Sequence, residues 1–199
     1  MADRFLYLIR HGSYVMNRQH QDYGSLDNRG QRQAHALAKY LAKIPVQRIY
    51  CSTMVRAEQT AKFVHAAHEH LPLQRVRSLR ECLPSVPHGV PKDFRRLKTQ
   101  IQQARDQALT AYKRFFRRTV GEDKHEFLVC HGNIIRYLIG RAIRADQKVW
   151  GLLYINHASV SVVRVDKTGR CSLLKYNDVS YLPRKLRSDG LLSTIFTEL

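Results

Sequence analysis

The feature that most constrains the fold of this 199-residue chain is the regular alternation of short apolar runs with segments of helical period. Apolar runs of strand length are predicted at residues 5–9, 48–51, 73–76 and 127–130. Segments whose apolar residues recur at helical spacing are predicted at residues 27–42, 55–69, 94–115 and 133–144. Because strands that alternate with helices form parallel sheets covered on both faces, we expect an α/β fold with a mostly parallel central sheet.

The end of the chain departs from this alternation. Residues 160–165 and 171–176 are strand-like and flank Lys167-Thr168-Gly169, a pattern typical of a hairpin. We therefore expect an antiparallel addition at one end of the sheet. Since the sequence contains no internal repeat or linker, it predicts one domain at 1–178, followed by a tail of mixed character at 179–199.

The charge of the chain is strongly positive. Its 34 Lys and Arg residues against 16 Asp and Glu residues give a formal net charge of +18. Such a field attracts phosphate esters, acidic proteins, nucleic acids and anionic membrane surfaces, and charge alone does not choose among them. Nucleic acid is disfavoured as a partner, because no aromatic–basic repeat or known docking motif accompanies the charge.

Cysteine usage and hydropathy bear on the location of the chain. The four cysteines lie far apart and form no CxxC pair, which indicates a reducing compartment and neither a disulfide framework nor a zinc site. No signal peptide is recognisable and no apolar run reaches eighteen residues, so we expect no membrane span. These features predict a cytoplasmic protein. The oligomeric state stays open, a homodimer being one option.

Two His-Gly pairs follow predicted strands. Arg10-His11-Gly12 comes directly after the first strand, and His131-Gly132 follows the strand that ends at Cys130. Because ligand sites of open α/β sheets lie beyond the carboxyl ends of the strands, the two histidines are expected to face one site. Arg56 lies at the start of the helix after Cys51, where backbone donors also favour anions. The pattern predicts an anion-binding site.

Five motifs, in order, resemble those of the histidine phosphatase superfamily, also called the phosphoglycerate mutase-like family. They are R-H-G at 10–12, the helix start at 26–34 with Asp27 in place of the usual Thr, S-x-x-x-R-A-x-x-T at 52–60, L-x-E at 79–81 and the second His-Gly at 131–132. The resemblance covers residues 5–165 and implies a phosphoglycerate mutase-like fold. Within the superfamily the sequence is most similar to a mitochondrial Ser/Thr protein phosphatase. The chain is expected to lack that protein's N-terminal membrane anchor and tryptophan-rich assembly segment.

The resemblance and the requirements of phosphoryl transfer together imply roles for these residues. His11 is the expected nucleophile, attacking phosphorus with one ring nitrogen while a backbone carbonyl holds the proton on the other. Arg10, Arg56 and His131 are expected to neutralise the phosphoryl oxygens. Asn17, six residues beyond His11, matches a phosphate-contacting Asn of many family members.

Glu81 is the expected general acid, protonating the leaving oxygen and later deprotonating the attacking water. Ser13 and Ser52 either line the site or are ordinary polar residues. No metal ion or other cofactor is expected, because the arginine and histidine side chains supply the positive charge.

The favoured function is a phosphatase that acts on phosphorylated substrates, with phosphoserine and phosphothreonine proteins foremost. A phosphoglycerate mutase or a sugar phosphate phosphatase would use the same site. A mutase must retain its intermediate under a substantial lid, and the interval between Glu81 and His131 is short for one. A noncatalytic module that binds an anion or a partner is the remaining alternative, although it would have no need of all four residues Arg10, His11, Arg56 and His131.

Overall fold

The computed structural model describes residues 2–16, 24–86, 98–146 and 148–188. The strands in these ranges are β1 (Arg4–Arg10), β2 (Arg48–Cys51), β3 (Leu73–Arg75), β4 (Lys124–Cys130), β5 (Val160–Val165) and β6 (Cys171–Asp178). The α-helices in these ranges are α1 (Asn28–Leu41), α2 (Val55–Ala66), α3 (Lys98–Phe115) and α4 (Gly132–Ala142). Short 3-10 turns at 77–79, 149–152 and 184–186 connect or follow them.

The strands form one mixed sheet in the order β3-β2-β4-β1-β5-β6. β1 pairs in parallel with β4, which pairs in parallel with β2, and β3 extends this parallel set. β5 runs antiparallel to β1, and β6 runs antiparallel to β5. The predicted α/β class, the mostly parallel sheet and the antiparallel C-terminal addition are therefore confirmed.

Helices cover both faces of the sheet. Successive side chains of each central strand point to opposite faces, and because apolar residues occur on both faces, each face needs a cover. On one face Leu8 and Leu128 pack into a cluster that includes Phe115 of α3 and Ile135 of α4. The opposite face carries Ile9, Phe127 and Val129, which share a second cluster with residues of α1 and α2. The central strands β1, β2 and β4 are largely buried on both sides, and the carboxyl ends of the parallel strands share one edge.

Strand β4 begins at Lys124, three residues before the predicted start at 127. Its first residues are polar, so hydropathy gives no sign of them, but each pairs with β1 beginning at Arg4 opposite Lys124. Burial of Glu126 is compensated by Arg4, whose Nη1 lies 3.4 Å from the Glu126 carboxylate. Helix α2 ends at Ala66 rather than at 69. The predicted start of the third helix, at 94–97, lies outside the described residues.

Helix α1 is fastened to the loop that follows β1. Asp27 caps the helix as predicted, since its Oδ1 accepts a 2.6 Å hydrogen bond from the Gly30 N–H, while its Oδ2 accepts a 2.7 Å bond from the Ser13 hydroxyl. Gln33, fully buried in the same helix, accepts a 2.7 Å bond from the Ser13 N–H. Its amide nitrogen donates to the Leu186 carbonyl at 2.7 Å. The start of α1 thus fixes both the loop after β1 and the segment near residue 186.

Replacing Gly30 by Ala is expected to lower the free energy of unfolding by about 1–3 kcal/mol through overpacking. A Cβ at Gly30 would lie only 1.8 Å from the Ser13 carbonyl oxygen, although Ala in a helix is ordinarily about 1 kcal/mol better than Gly. Urea unfolding measures the change. The control is Gly140→Ala in α4, where the nearest atom would be Val149 Cγ1 at 3.6 Å and no loss is expected. Equal effects at both positions would contradict the tight contact between Ser13 and α1.

Candidate active site

Three buried polar side chains meet where the central parallel strands end. His11 follows β1, Ser52 follows β2 and His131 follows β4, and each is fully inaccessible to solvent. The ring centroids of His11 and His131 are 5.0 Å apart. The Nε2 atom of His131 and the Ser52 hydroxyl oxygen are 2.8 Å apart, so Ser52 belongs to the site and contacts the second histidine directly. The edge of the sheet therefore brings together side chains that are far apart in sequence.

The hydrogen bonds of His11 determine which ring nitrogen carries the proton. Nδ1 lies 2.8 Å from the Gly12 carbonyl oxygen, which can only accept, so Nδ1 donates. Nε2 lies 3.1 Å from Nε of Arg56, whose N–H can only donate, so Nε2 accepts. The backbone N–H of His11 donates to the Cys130 carbonyl at 3.0 Å and ties the residue to β4. The lone pair of His11 thus sits on Nε2, on the side of Arg56.

Burial and positive charge keep both histidines neutral. Desolvation, followed by the charges of Arg56, His131 and Arg10, lowers the pKa of His11 well below 6.5. The pKa of His131 is lowered in the same way, by desolvation and then by Arg56, Arg10 and Arg80. A neutral imidazole keeps a nucleophilic lone pair at physiological pH.

The two arginines are held by the protein and are almost entirely buried. Nη1 of Arg10 donates to the Ile155 carbonyl at 2.7 Å, and the guanidinium of Arg56 lies 4.5 Å from the centre of the Tyr14 ring. Arg10 is 1% exposed and Arg56 is 3% exposed. Two guanidinium groups with fixed orientations provide forked donors for an anion such as phosphate.

The carboxylate of Glu81 lies at the start of α4. Its oxygens accept from the backbone N–H groups of Asn133 and Ile134, both at 3.2 Å, and from that of Cys82 at 3.1 Å. The cap residue of α4, His131, makes no side-chain capping bond of its own. Glu81 therefore caps the helix whose first turn follows the second histidine, and it reaches the site from a different segment of the chain.

Of the predicted site residues, the structure brings Arg10, His11, Arg56 and His131 together and sets Glu81 at the adjoining helix start. Asn17 lies outside the described residues. Sequence reasoning missed His157, whose ring centroid is 5.5 Å from that of His11. A signal existed: β5 is antiparallel to β1, so residues just before β5 lie at the edge where β1 ends. The rule that places ligand sites beyond the carboxyl ends of parallel strands does not include such residues.

The described residues offer no metal centre: nowhere in them do three or more His, Cys, Asp or Glu side chains come together in a way that could hold a metal ion. Nor does any described helix have both the length and the apolar character needed to cross a bilayer.

With the fold and site established, comparison with known proteins gives the family. The model of the histidine phosphatase superfamily (branch 1) matches residues 6–179, most of the chain. The chain belongs to this superfamily, and the resemblance based on its five motifs is confirmed.

Similar curated proteins include two named "Serine/threonine-protein phosphatase Pgam5, mitochondrial". The one from Drosophila virilis is 29% identical over 189 residues, which are 92% of this chain and 65% of the relative. The one from Drosophila melanogaster is 27% identical over 195 residues, covering 94% of this chain and 68% of the relative. This chain thus spans about two thirds of the length of these relatives. Their naming as mitochondrial proteins contradicts the predicted cytoplasmic location, which is wrong. Widely spaced cysteines and the absence of an eighteen-residue apolar run in the sequence do not distinguish the two compartments.

Solved structures show the same fold. The phosphoglycerate mutase of Plasmodium falciparum is 23% identical, with a TM-score of 0.64, and the match covers 92% of this chain and 96% of that one. YhfR of Bacillus stearothermophilus is also 23% identical, with a TM-score of 0.69 and coverage of 89% and 98%. These similarities confirm the phosphoglycerate mutase-like architecture.

The buried imidazoles should make the protein sensitive to mild acid. The pKa values of His11, His131 and His157 are lowered in the folded protein, whereas an unfolded histidine titrates near 6.5. The unfolded chain therefore binds more protons below about pH 7, and stability that is fully present above this pH is lost as pH falls. Each imidazole should lower the free energy of unfolding by up to about 1.4 kcal/mol between pH 7.5 and 5.5, the limit that titration of the unfolded histidine sets.

Urea unfolding at the two pH values measures this loss in the wild type and in His131→Gln. The variant should lose less free energy of unfolding on acidification than the wild type, by up to about 1.4 kcal/mol. His35→Gln, at an exposed position, should behave like the wild type. If the free energy of unfolding falls by the same amount on acidification in His131→Gln as in the wild type, the His131 imidazole is not held neutral.

Proposed function

We propose that this chain is a metal-independent phosphatase that hydrolyses phosphate monoesters through a phosphohistidine intermediate on His11. The observation that carries the proposal is the state of His11. Its ring is neutral, Nδ1 is occupied by the Gly12 carbonyl, and the Nε2 lone pair lies beside the guanidinium of Arg56. A nucleophile adjacent to fixed cationic donors is what transfer of a phosphoryl group requires.

In the first step, Nε2 of His11 attacks phosphorus and the bond from phosphorus to the leaving oxygen breaks. Glu81, in its protonated form, gives its proton to that oxygen, and the alcohol departs. Arg10 and Arg56 neutralise charge on the three equatorial phosphoryl oxygens. His131, neutral in the empty site, takes a proton from solvent as the phosphate group binds and adds a third positive donor. In the second step, Glu81 takes a proton from water, whose oxygen attacks phosphorus, and the P–N bond to His11 breaks to release phosphate.

We further propose that the substrates are phosphoserine or phosphothreonine proteins. Two observations support this class: relatives at 27–29% identity are named serine/threonine-protein phosphatases, and the net charge is +18. A positive field of this size draws acidic polypeptides toward a site that already favours anions.

His11→Gln should lower kcat for p-nitrophenyl phosphate by at least about 1,000-fold, because removal of a covalent nucleophile typically costs several orders of magnitude. The matched control is His68→Gln, since His68 is also buried but lies beyond the C-terminal end of α2, whereas Arg56 lies in the first turn of that helix. The control should keep the wild-type rate. Thermal melts establish that both variants are folded. More than a few per cent of activity in His11→Gln would contradict the proposed nucleophile.

The Glu81→Gln variant distinguishes a general-acid role of Glu81 from a role in capping helix α4 alone. A general acid matters most for a poor leaving group, so the variant should slow single-turnover hydrolysis of a phosphoserine peptide far more than that of p-nitrophenyl phosphate. A residue that only caps α4 would affect the melting temperature and slow both substrates alike. Equal slowing of the two substrates would remove Glu81 from the acid role.

The substrate class is tested by comparing phosphopeptides with acidic flanks, matched phosphopeptides with neutral flanks, phosphoglycerates and sugar phosphates. The acidic peptides should give the highest kcat/KM. Added salt should reduce their advantage, because exposed charges are screened within about 8 Å at physiological ionic strength. A preference for phosphoglycerates or sugar phosphates would assign the chain to small-molecule substrates instead.

A further inference from the structure

His157 is held rigidly beside His11 by the backbone on either side of it. The N–H of Ala158, the next residue, donates to the His11 carbonyl at 3.0 Å. The N–H of Arg10 donates to the Ser159 carbonyl at 3.0 Å. These two bonds join the turn before β5 to the end of β1, so the position of His157 relative to His11 is set by the main chain.

The same turn is fixed from its outer side. The N–H of His157 donates to the Ser188 hydroxyl at 3.0 Å, and the N–H of Asn156 donates to the Asn177 side-chain oxygen at 2.8 Å. Ala158 adopts φ = 54°, in the left-handed region that costs a non-glycine residue about 1–2 kcal/mol. Backbone strain that the surroundings impose and maintain is a frequent property of functional sites.

The ring of His157 lies within the site. Its centroid is 5.5 Å from that of His11 and 6.1 Å from that of Tyr14. Its Nε2 atom is buried, and no hydrogen-bond partner for it occurs in the part of the chain that the structure describes. A buried polar atom without a partner is unfavourable by roughly 1–3 kcal/mol, so a bound group that pairs with it would recover this energy.

The charges that face His157 are positive and come from three elements. Desolvation, followed by Arg10 at the end of β1, Arg29 of α1 and Arg56 of α2, lowers the pKa of His157 well below 6.5. His11 and Tyr14 are the titratable groups whose rings contact it. A phosphate dianion placed among these arginines would offset their charge and favour the imidazolium.

We propose that His157 is a further phosphate ligand, neutral in the empty site, which takes a proton from solvent when a phosphate dianion binds and donates its Nε2–H to a phosphoryl oxygen. This role rests on the proposed function, because it assigns His157 to the same anion. It adds a donor from the antiparallel side of the sheet to those from the parallel strands. His157 is thereby a direct contact of the transferring group.

Isothermal titration calorimetry with inorganic phosphate tests this role in the full chain. Titrations near pH 7 in buffers of different ionisation enthalpy give both the affinity and the number of protons taken up. His157→Gln should bind phosphate about 10- to 100-fold more weakly, as expected for loss of a hydrogen bond to a charged group, and should take up fewer protons. His68→Gln is the matched control, because His68 is also a buried imidazole whose Nε2 lacks a partner in the described residues.

A second measurement needs no substitution. In wild-type protein labelled with ¹⁵N-histidine, phosphate should move the His157 ring-nitrogen resonances toward those of an imidazolium and leave the His68 resonances in place. Wild-type affinity and proton uptake in His157→Gln would overturn the role. So would His157 resonances that do not shift when phosphate is added. If His11→Gln is inactive while His157→Gln matches the wild type in every respect, this inference fails and the proposed function stands. If the wild type binds phosphate through His157 but hydrolyses no monoester, the proposed function fails instead.

Discussion

The hydrogen bond from Nδ1 of His11 to the Gly12 carbonyl decides which ring nitrogen carries the lone pair, and the rest of the site is arranged around that choice. It depends on the path of the chain immediately after β1. Gly12 lies so close to α1 that a Cβ on Gly12 would be 2.7 Å from the Gly30 carbonyl oxygen. Asp27 and Gln33 hold the next residue, Ser13, through its hydroxyl and its N–H. The tautomer of His11 therefore depends on how tightly the loop packs against α1, together with the N–H that Arg56 donates to Nε2.

Neutral histidines and an anion site have one physical cause here. Burial beside Arg10 and Arg56 disfavours protonation of the imidazoles and, at the same time, concentrates positive charge where a phosphoryl group would lie. In the empty site this arrangement leaves the lone pair of His11 unprotonated, and binding of the anion relieves the repulsion among the cationic groups. The same balance applies to His157, which receives the charge of Arg29 as well.

Much of this could be predicted from the sequence because the motifs are local. Arg10 ends β1, and His11 and His131 directly follow β1 and β4, so the shared direction of these strands places the three residues at one edge. Contacts that depend on packing between distant segments could not be predicted. The capping of α4 by Glu81 joins residues 52 positions apart, and the position of His157 depends on β5 pairing with β1 in a given direction. The early start of β4 was missed for the same reason, because its polar first residues are in the strand only through their pairing with β1. The location was predicted wrongly because amino-acid composition does not specify the compartment of a protein.

The central claim is that the phosphoryl group is transferred to Nε2 of His11. The most direct measurement is rapid-quench trapping of the enzyme during turnover of a phosphate monoester, with the phosphorylated residue located by mass spectrometry at neutral or alkaline pH. Phosphorus NMR then identifies the ring nitrogen that carries the phosphoryl group. The account predicts one acid-labile phosphohistidine at position 11, bonded through Nε2. Phosphate on Nδ1, on His131 or His157, or steady turnover without any phosphoenzyme, would contradict it.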